Sequence, residues 1–160
     1  MTPLILGKKH VKHLSSMIPD MPPTDVINAN GIRRYSYPIT AVAHIVGPKL
    51  IKFMNLRSNY TCSIEMIDSK TDSHKHNDTG TGRDAIYLVN IGAKPFTLLY
   101  TDPRVNTEYM HIVEVGTSFI LSTTHPYTVI NAHNDTPAIY FSVNAYENFT
   151  NTVRRFQHQW

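Results

Sequence analysis

The side chains able to do chemistry concentrate in SHKHNDTGTGRDAIYLVN, residues 73–90, where His74, His76 and Asp78 occupy every second position. In an extended backbone alternate side chains point the same way, so these three would share a face. Imidazole nitrogen and carboxylate oxygen are ordinary ligands for first-row metals, and two His with one carboxylate leave an iron with open positions. H-x-D is a short motif in a chain with nine histidines, so a third ligand must arrive from elsewhere. His125 is the best placed, just before the strand-like segment YTVIN, and His133 lies in the turn after it. Two sets stay open: His76, Asp78 and His125, or a histidine-rich set of His74, His76 and His125.

The elements that must position these residues read as strands. Behind the motif, Ala85 to Ile91 is an apolar, β-branched run. Before it, Tyr60, Cys62, Ile64 and Met66 alternate with Thr61, Ser63 and Glu65, the pattern of a strand buried on its apolar side only. Further strands are expected at 33–37, 40–46, 96–100, 109–115, around 119–121, 127–131 and 138–144, with a weaker one at 49–56. Turn signals lie between them: Gly47–Pro48, Gly92 to Pro95, Asp102–Pro103 and AHNDTP. Eight or nine short strands with turns every eight to twelve residues, and no strong helical pattern, indicate an all-β sandwich, barrel or jelly roll. Residues 1–30 show little periodicity and carry Pro19, Pro22 and Pro23, so they read as an irregular arm. Residues 31–160 read as one domain, ending in a short helix or strand after Tyr146.

Composition sets the bounds. A chain of 160 residues fits one domain, and its 41% hydrophobic content suits an ordinary core. No run approaches about 18 apolar residues, so no membrane helix is expected. The start, MTPLILGKKHVKHL, places basic residues after a short apolar run, the reverse of an export signal. One cysteine, Cys62, excludes an internal disulfide and suits a reducing, cytoplasmic location. The formal charge of +3 is mild, and the pairs Arg33–Arg34 and Arg154–Arg155 read as solubilising surface charge, so nucleic acid is not an expected partner.

HKHNDTGTGRDAIYLVN together with VGTSFILSTTHPYTVINAHNDTPAIYFSVN resembles the double-stranded β-helix superfamily, the cupins and the Fe(II)/2-oxoglutarate-dependent oxygenases, over roughly Tyr60 to Ala145. The resemblance implies a cupin-like jelly roll with short irregular extensions at both ends. In the oxygenase pattern His76 and Asp78 are the iron pair. In the cupin pattern His74 and His76 are the pair, and Asp84 stands where a Glu is common. The late His of these families would fall at Tyr127, counted from Asn131, whereas the histidine present is His125. That keeps side-chain parity but displaces the ligand by about 6–7 Å along a strand. The usual Arg for the far carboxylate of 2-oxoglutarate is replaced by Ala138. A buried dicarboxylate needs a cation, and Lys94 or Arg83 would supply it, with Tyr87, Tyr127 and Thr136 as hydroxyl donors.

The resemblance implies Fe(II) and 2-oxoglutarate as cofactors and hydroxylation of a substrate the sequence does not name. Two other functions suit the same chain: a cupin with a histidine-rich site for another metal, and a non-catalytic jelly roll acting in binding or assembly, as in a viral particle. Nine tyrosines suit a protein that builds interfaces, and a homo-oligomer is expected.

Overall fold

The computed structural model describes residues 4–8, 25–29, 32–36, 60–67, 71–72, 85–102, 105–122, 126–133, 135–145, 150–151 and 153–154. The strands expected at 40–46 and 49–56 lie outside this set. Eleven strands are described: β1 (Leu4–Lys8), β2 (Asp25–Ala29), β3 (Ile32–Ser36), β4 (Tyr60–Ile67), β5 (Thr71–Asp72), β6 (Ala85–Asn90), β7 (Phe96–Asp102), β8 (Thr107–Val113), β9 (Thr117–Ser122), β10 (Tyr127–Asn131) and β11 (Ala138–Ala145). Thr150, Asn151, Val153 and Arg154 are helical.

The strands form two antiparallel sheets. One has seven strands in the order β1-β9-β6-β11-β4-β3-β2, the other four in the order β5-β10-β7-β8. From β4 onward the chain passes back and forth between the sheets (β4 in the large, β5 in the small, β6 in the large, the β7–β8 pair in the small, β9 in the large, β10 in the small, β11 in the large), as in a jelly roll. The two inner faces enclose a core of Ile86, Leu88, Phe119 and Tyr140 from the large sheet against Leu98 and Val129 from the small one.

Sequence pattern and burial agree in β6 and β7. β7, FTLLYTD, is buried at every second residue and sends Phe96, Leu98 and Tyr100 inward. β6, AIYLVN, is buried throughout, as its unbroken apolar run requires of a strand covered on both faces. The large sheet therefore has a second buried layer on its other face, which includes Ile64, Tyr87, Ile139 and Phe141.

This double burial corrects the reading of β4. Ile64 and Met66 are buried, but on the face away from the small sheet. Ser63 and Glu65, expected outside, share the face of Ile67 and look into the jelly roll. Register requires it: Ile67 lies opposite Ala138 and Glu65 opposite Tyr140, and Ile67, Ala138 and Tyr140 all belong to the inner core.

Residues 1–30 supply two strands despite their weak pattern. β1 pairs with β9 at one edge of the large sheet and β2 with β3 at the opposite edge. Partners supplied by the rest of the chain, rather than local propensity, set these strands. Between β8 and β9, the Thr117 amide donates to the Glu114 carbonyl at 2.9 Å across a turn in which Gly116 has φ 78°. A positive φ at that position is the requirement of a type II turn, which glycine meets without a Cβ penalty.

Candidate functional site

The inner face carries an ion pair built from three neighbouring strands. Arg34 of β3 and Tyr140 of β11 both lie opposite Glu65 of β4. Arg34 Nε donates to Glu65 Oε1 at 3.1 Å, and Ser63 Oγ donates to the same oxygen at 3.4 Å. The Tyr140 hydroxyl faces this carboxylate, and Tyr127 approaches Arg34 and Tyr140 from the facing sheet. Burial, reinforced by the charge of Glu65, pushes the Tyr140 hydroxyl well above its ordinary pKa of 10.0. Burial also disfavours the Arg34 cation, but Glu65, together with Tyr127 and Tyr140, offsets this and holds the guanidinium above its ordinary value.

The pair is asymmetric in access. The Glu65 side chain is 4% exposed and that of Arg34 33%. Only Nε of Arg34 is engaged; its two terminal nitrogens make no hydrogen bond among the described residues. A guanidinium fixed through Nε and open at its fork is set to receive a planar oxyanion through two parallel N–H···O bonds.

One end of the jelly roll is closed by two asparagines. Asn90 is fully buried; its Nδ2 donates to the carbonyls of Lys94 at 3.0 Å and Val113 at 2.9 Å, while its Oδ1 accepts from the Gly92 amide. Asn131 repeats the arrangement, donating to Ile67 O and Thr136 O and accepting from the His133 amide. The Asn131 that anchored the sequence resemblance is thus a turn fastener. Gly92 sits so close to β11 that a Cβ there would meet Ile139 N at 3.3 Å. His133 Nε2 lies 2.9 Å from the Pro95 carbonyl and ties the two turns together.

Of the residues named from sequence, His74, His76, Asp78, Arg83 and His125 lie outside the described set. Among the described residues no group of three His, Cys, Asp or Glu side chains could hold a metal. Two described residues that flank these undescribed stretches are paired. Ala85, which follows Asp78 and Arg83 in the first segment, lies opposite Ser122, which precedes His125 and Pro126 in the second.

The remaining candidates are dispersed. Lys94 sits in the β6–β7 turn, 45% exposed, with Nζ 3.4 Å from Asp135 Oδ1. Asp135 is held below the usual carboxylate range by the Thr136 hydroxyl and by Lys94, and Thr136 is engaged in that contact. Tyr87 is fully buried on the outer layer of the large sheet, whereas Tyr127 faces inward beside Arg34. The structure therefore joins Tyr127 to an inner cation, and that cation is Arg34.

Arg34 was legible only in part. Two successive arginines in a strand must point to opposite faces, so in a sheet buried on both sides one of Arg33–Arg34 faces inward. The sequence signal was parity, and it needed the knowledge that both faces are covered. A row of rings was also missed: Tyr127, Tyr100 and Tyr109 lie opposite one another across three strands. Tyr100 stacks on Tyr109 at 5.3 Å and on His111 at 5.6 Å, and its hydroxyl lies 3.1 Å from His111 Nε2.

No protein family and no curated protein matches this sequence. Solved structures do. Drosophila melanogaster CENP-C bound to CAL1 is similar with a TM-score of 0.53 at 10% identity, over 76% of this chain and 79% of that one. An oxalate decarboxylase aligns with a TM-score of 0.55 at 8% identity, over 79% of this chain and 29% of that one. Hazelnut (Corylus avellana) vicilin aligns with 0.51 at 12%, over 79% and 32%. This chain spans about a third of the vicilin and decarboxylase chains. At these identities the likeness establishes the fold, a cupin-type jelly roll, and enzymes and non-enzymes share it.

Proposed function

We propose that this protein binds a small carboxylate-bearing molecule inside its jelly roll, at Arg34. The observation that carries the reading is the guanidinium fork on the inner face, with Nε taken by buried Glu65 and no bond to either terminal nitrogen among the described residues. Glu65 and Ser63 fix the plane of the fork before a ligand arrives, which reduces the ordering cost of binding. A carboxylate matches the fork in geometry and charge. Calorimetric titration of the full chain with acetate, succinate and 2-oxoglutarate tests this. Saturable binding is expected, weakened at least about tenfold in Arg34→Lys, which keeps the charge and loses the fork. Equal affinity in Arg34→Gln, with the melting profile intact, would overturn it.

A second, more specific reading is an Fe(II)/2-oxoglutarate oxygenase, in which the acid is 2-oxoglutarate. What supports it is the pairing of Ala85 with Ser122, residues close in sequence to Asp78 and to His125 respectively. His76, Asp78 and His125 would hold the iron, and Arg34, rather than Lys94 or Arg83, would meet the distal carboxylate. Metal content of anaerobically purified protein tests it. One iron per chain, lost in His76→Ala and sensitive to 2-oxoglutarate, is the expected result. Another metal indifferent to 2-oxoglutarate points instead to the set His74, His76 and His125, and metal-free protein that still binds acids leaves a non-catalytic binding protein.

A further inference from the structure

Strand β8 has a pattern that the interior does not use. Its inward side chains, Tyr109, His111 and Val113, are partly or fully buried. Its outward ones, with Glu114 just past the strand's end, form a row of Glu108, Met110, Ile112 and Glu114, all exposed, with Met110 at 68% and Ile112 at 64%. Two large apolar side chains in the open, bracketed by carboxylates, are not required by the core. β8 is also the last strand of its sheet. Among the described residues it pairs only with β7, and Tyr109 to Ile112 have no further bonds on their outer side. An unpaired edge of this kind presents backbone donors and acceptors to any extended chain.

A second copy of the protein is a poor occupant. Antiparallel self-pairing that sets Met110 opposite Ile112 also sets Glu108 opposite Glu114, and like charges directly across a ladder are destabilising. Shifting the register to put Met110 opposite Met110 places the Glu108 carboxylate against Ile112. Both arrangements waste the pattern. An antiparallel strand with basic residues at its two ends and apolar residues between them satisfies every position, through charge at Glu108 and Glu114 and apolar contact at Met110 and Ile112.

We propose that the β8 edge is a docking site for an extended segment of a partner protein that carries basic residues flanking two apolar ones at alternate positions, added to the small sheet as a fifth strand. The partner's outward side chains would read basic, apolar, apolar, basic along seven residues, because strand side chains repeat every two. Salt would weaken the complex through the end charges and leave the backbone ladder intact.

The test is an amide NMR titration of the full chain with acetyl-Lys-Thr-Val-Thr-Val-Thr-Lys-amide. The expected result is saturable shifts centred on Tyr109 to Ile112, with affinity at least about tenfold lower for the peptide carrying Glu in place of both Lys. The Met110→Lys/Ile112→Lys double variant should lose binding. Glu114→Lys should prefer a peptide with Glu at the facing end, a swap that misfolding cannot produce. Equal affinity for the Lys and Glu peptides, shifts elsewhere only, or no saturable shifts would overturn the proposal. Concentration-dependent shifts on β8 without peptide would also overturn it, in favour of self-association.

Discussion

The Arg34–Glu65 pair joins side chains with different access to water, and the difference sets what mutation does. Removing the Glu65 carboxylate leaves Arg34 Nε and Ser63 Oγ without their acceptor. Because Arg34 is a third exposed, water can resolvate it. Glu65→Ala is therefore expected to cost about 1–2 kcal/mol rather than the larger penalty of a fully buried pair, checked by urea unfolding. Tyr140 responds to alkali. Its folded-state pKa is raised above the ordinary 10.0 by burial and by Glu65. Below about pH 10 folded and unfolded chains both hold the proton, and the contribution is constant. Above it the unfolded chain releases the proton first, so stability falls with rising pH, by at most about 1.4 kcal/mol per pH unit for this group. Tyr140→Phe is expected to flatten that part of the stability–pH curve between pH 10 and 11.5; an unchanged slope would show that other groups cause it. The pair was hidden in the sequence because Arg34 and Glu65 are joined only by strand register. Each looks like surface charge until β3 lies beside β4.

The strands differ in how much of themselves they declare. β10 is YTVIN and was legible to its ends, because apolar alternation is bounded by a proline and a polar turn. β4 was legible as a strand but not in orientation, since alternation distinguishes two faces without saying which one the other sheet covers. β1 and β2 were not legible, because edge strands of five residues gain their order from a neighbour. The metal motif residues fall outside the described set, so their strand parity alone supports the reading of them. At the turns the physical requirements are sharper. Asn131→Ala would leave the buried carbonyls of Ile67 and Thr136 without their donor, at about 1–3 kcal/mol for each unpaired group. Asn131→Asp supplies acceptors only and should do no better. Gly116→Ala forces a Cβ into the φ 78° position and is expected to cost about 1–2 kcal/mol. Thermal unfolding checks both, and an unaltered melting temperature in either would contradict the geometry.

Taken whole, the molecule is a seven-stranded sheet whose two edges are both made by the beginning of the chain. β1 closes one side against β9, and β2 closes the other beyond β3. Deleting residues 1–8 would uncover the β9 edge, whose residues Phe119 and Ile120 are almost completely buried. The truncated protein is expected to be less stable and to aggregate, measured by light scattering during refolding. The same layout has a consequence for synthesis. Leu4 leaves the ribosome long before its partner Ile120. β1 must therefore wait for β9 to emerge before it can pair with it, so this seam closes late in assembly. The nascent protein is thus exposed to mispairing at the β9 edge of its largest sheet until β1 and β9 meet, whereas β2 at the other edge pairs with its neighbour in sequence, β3.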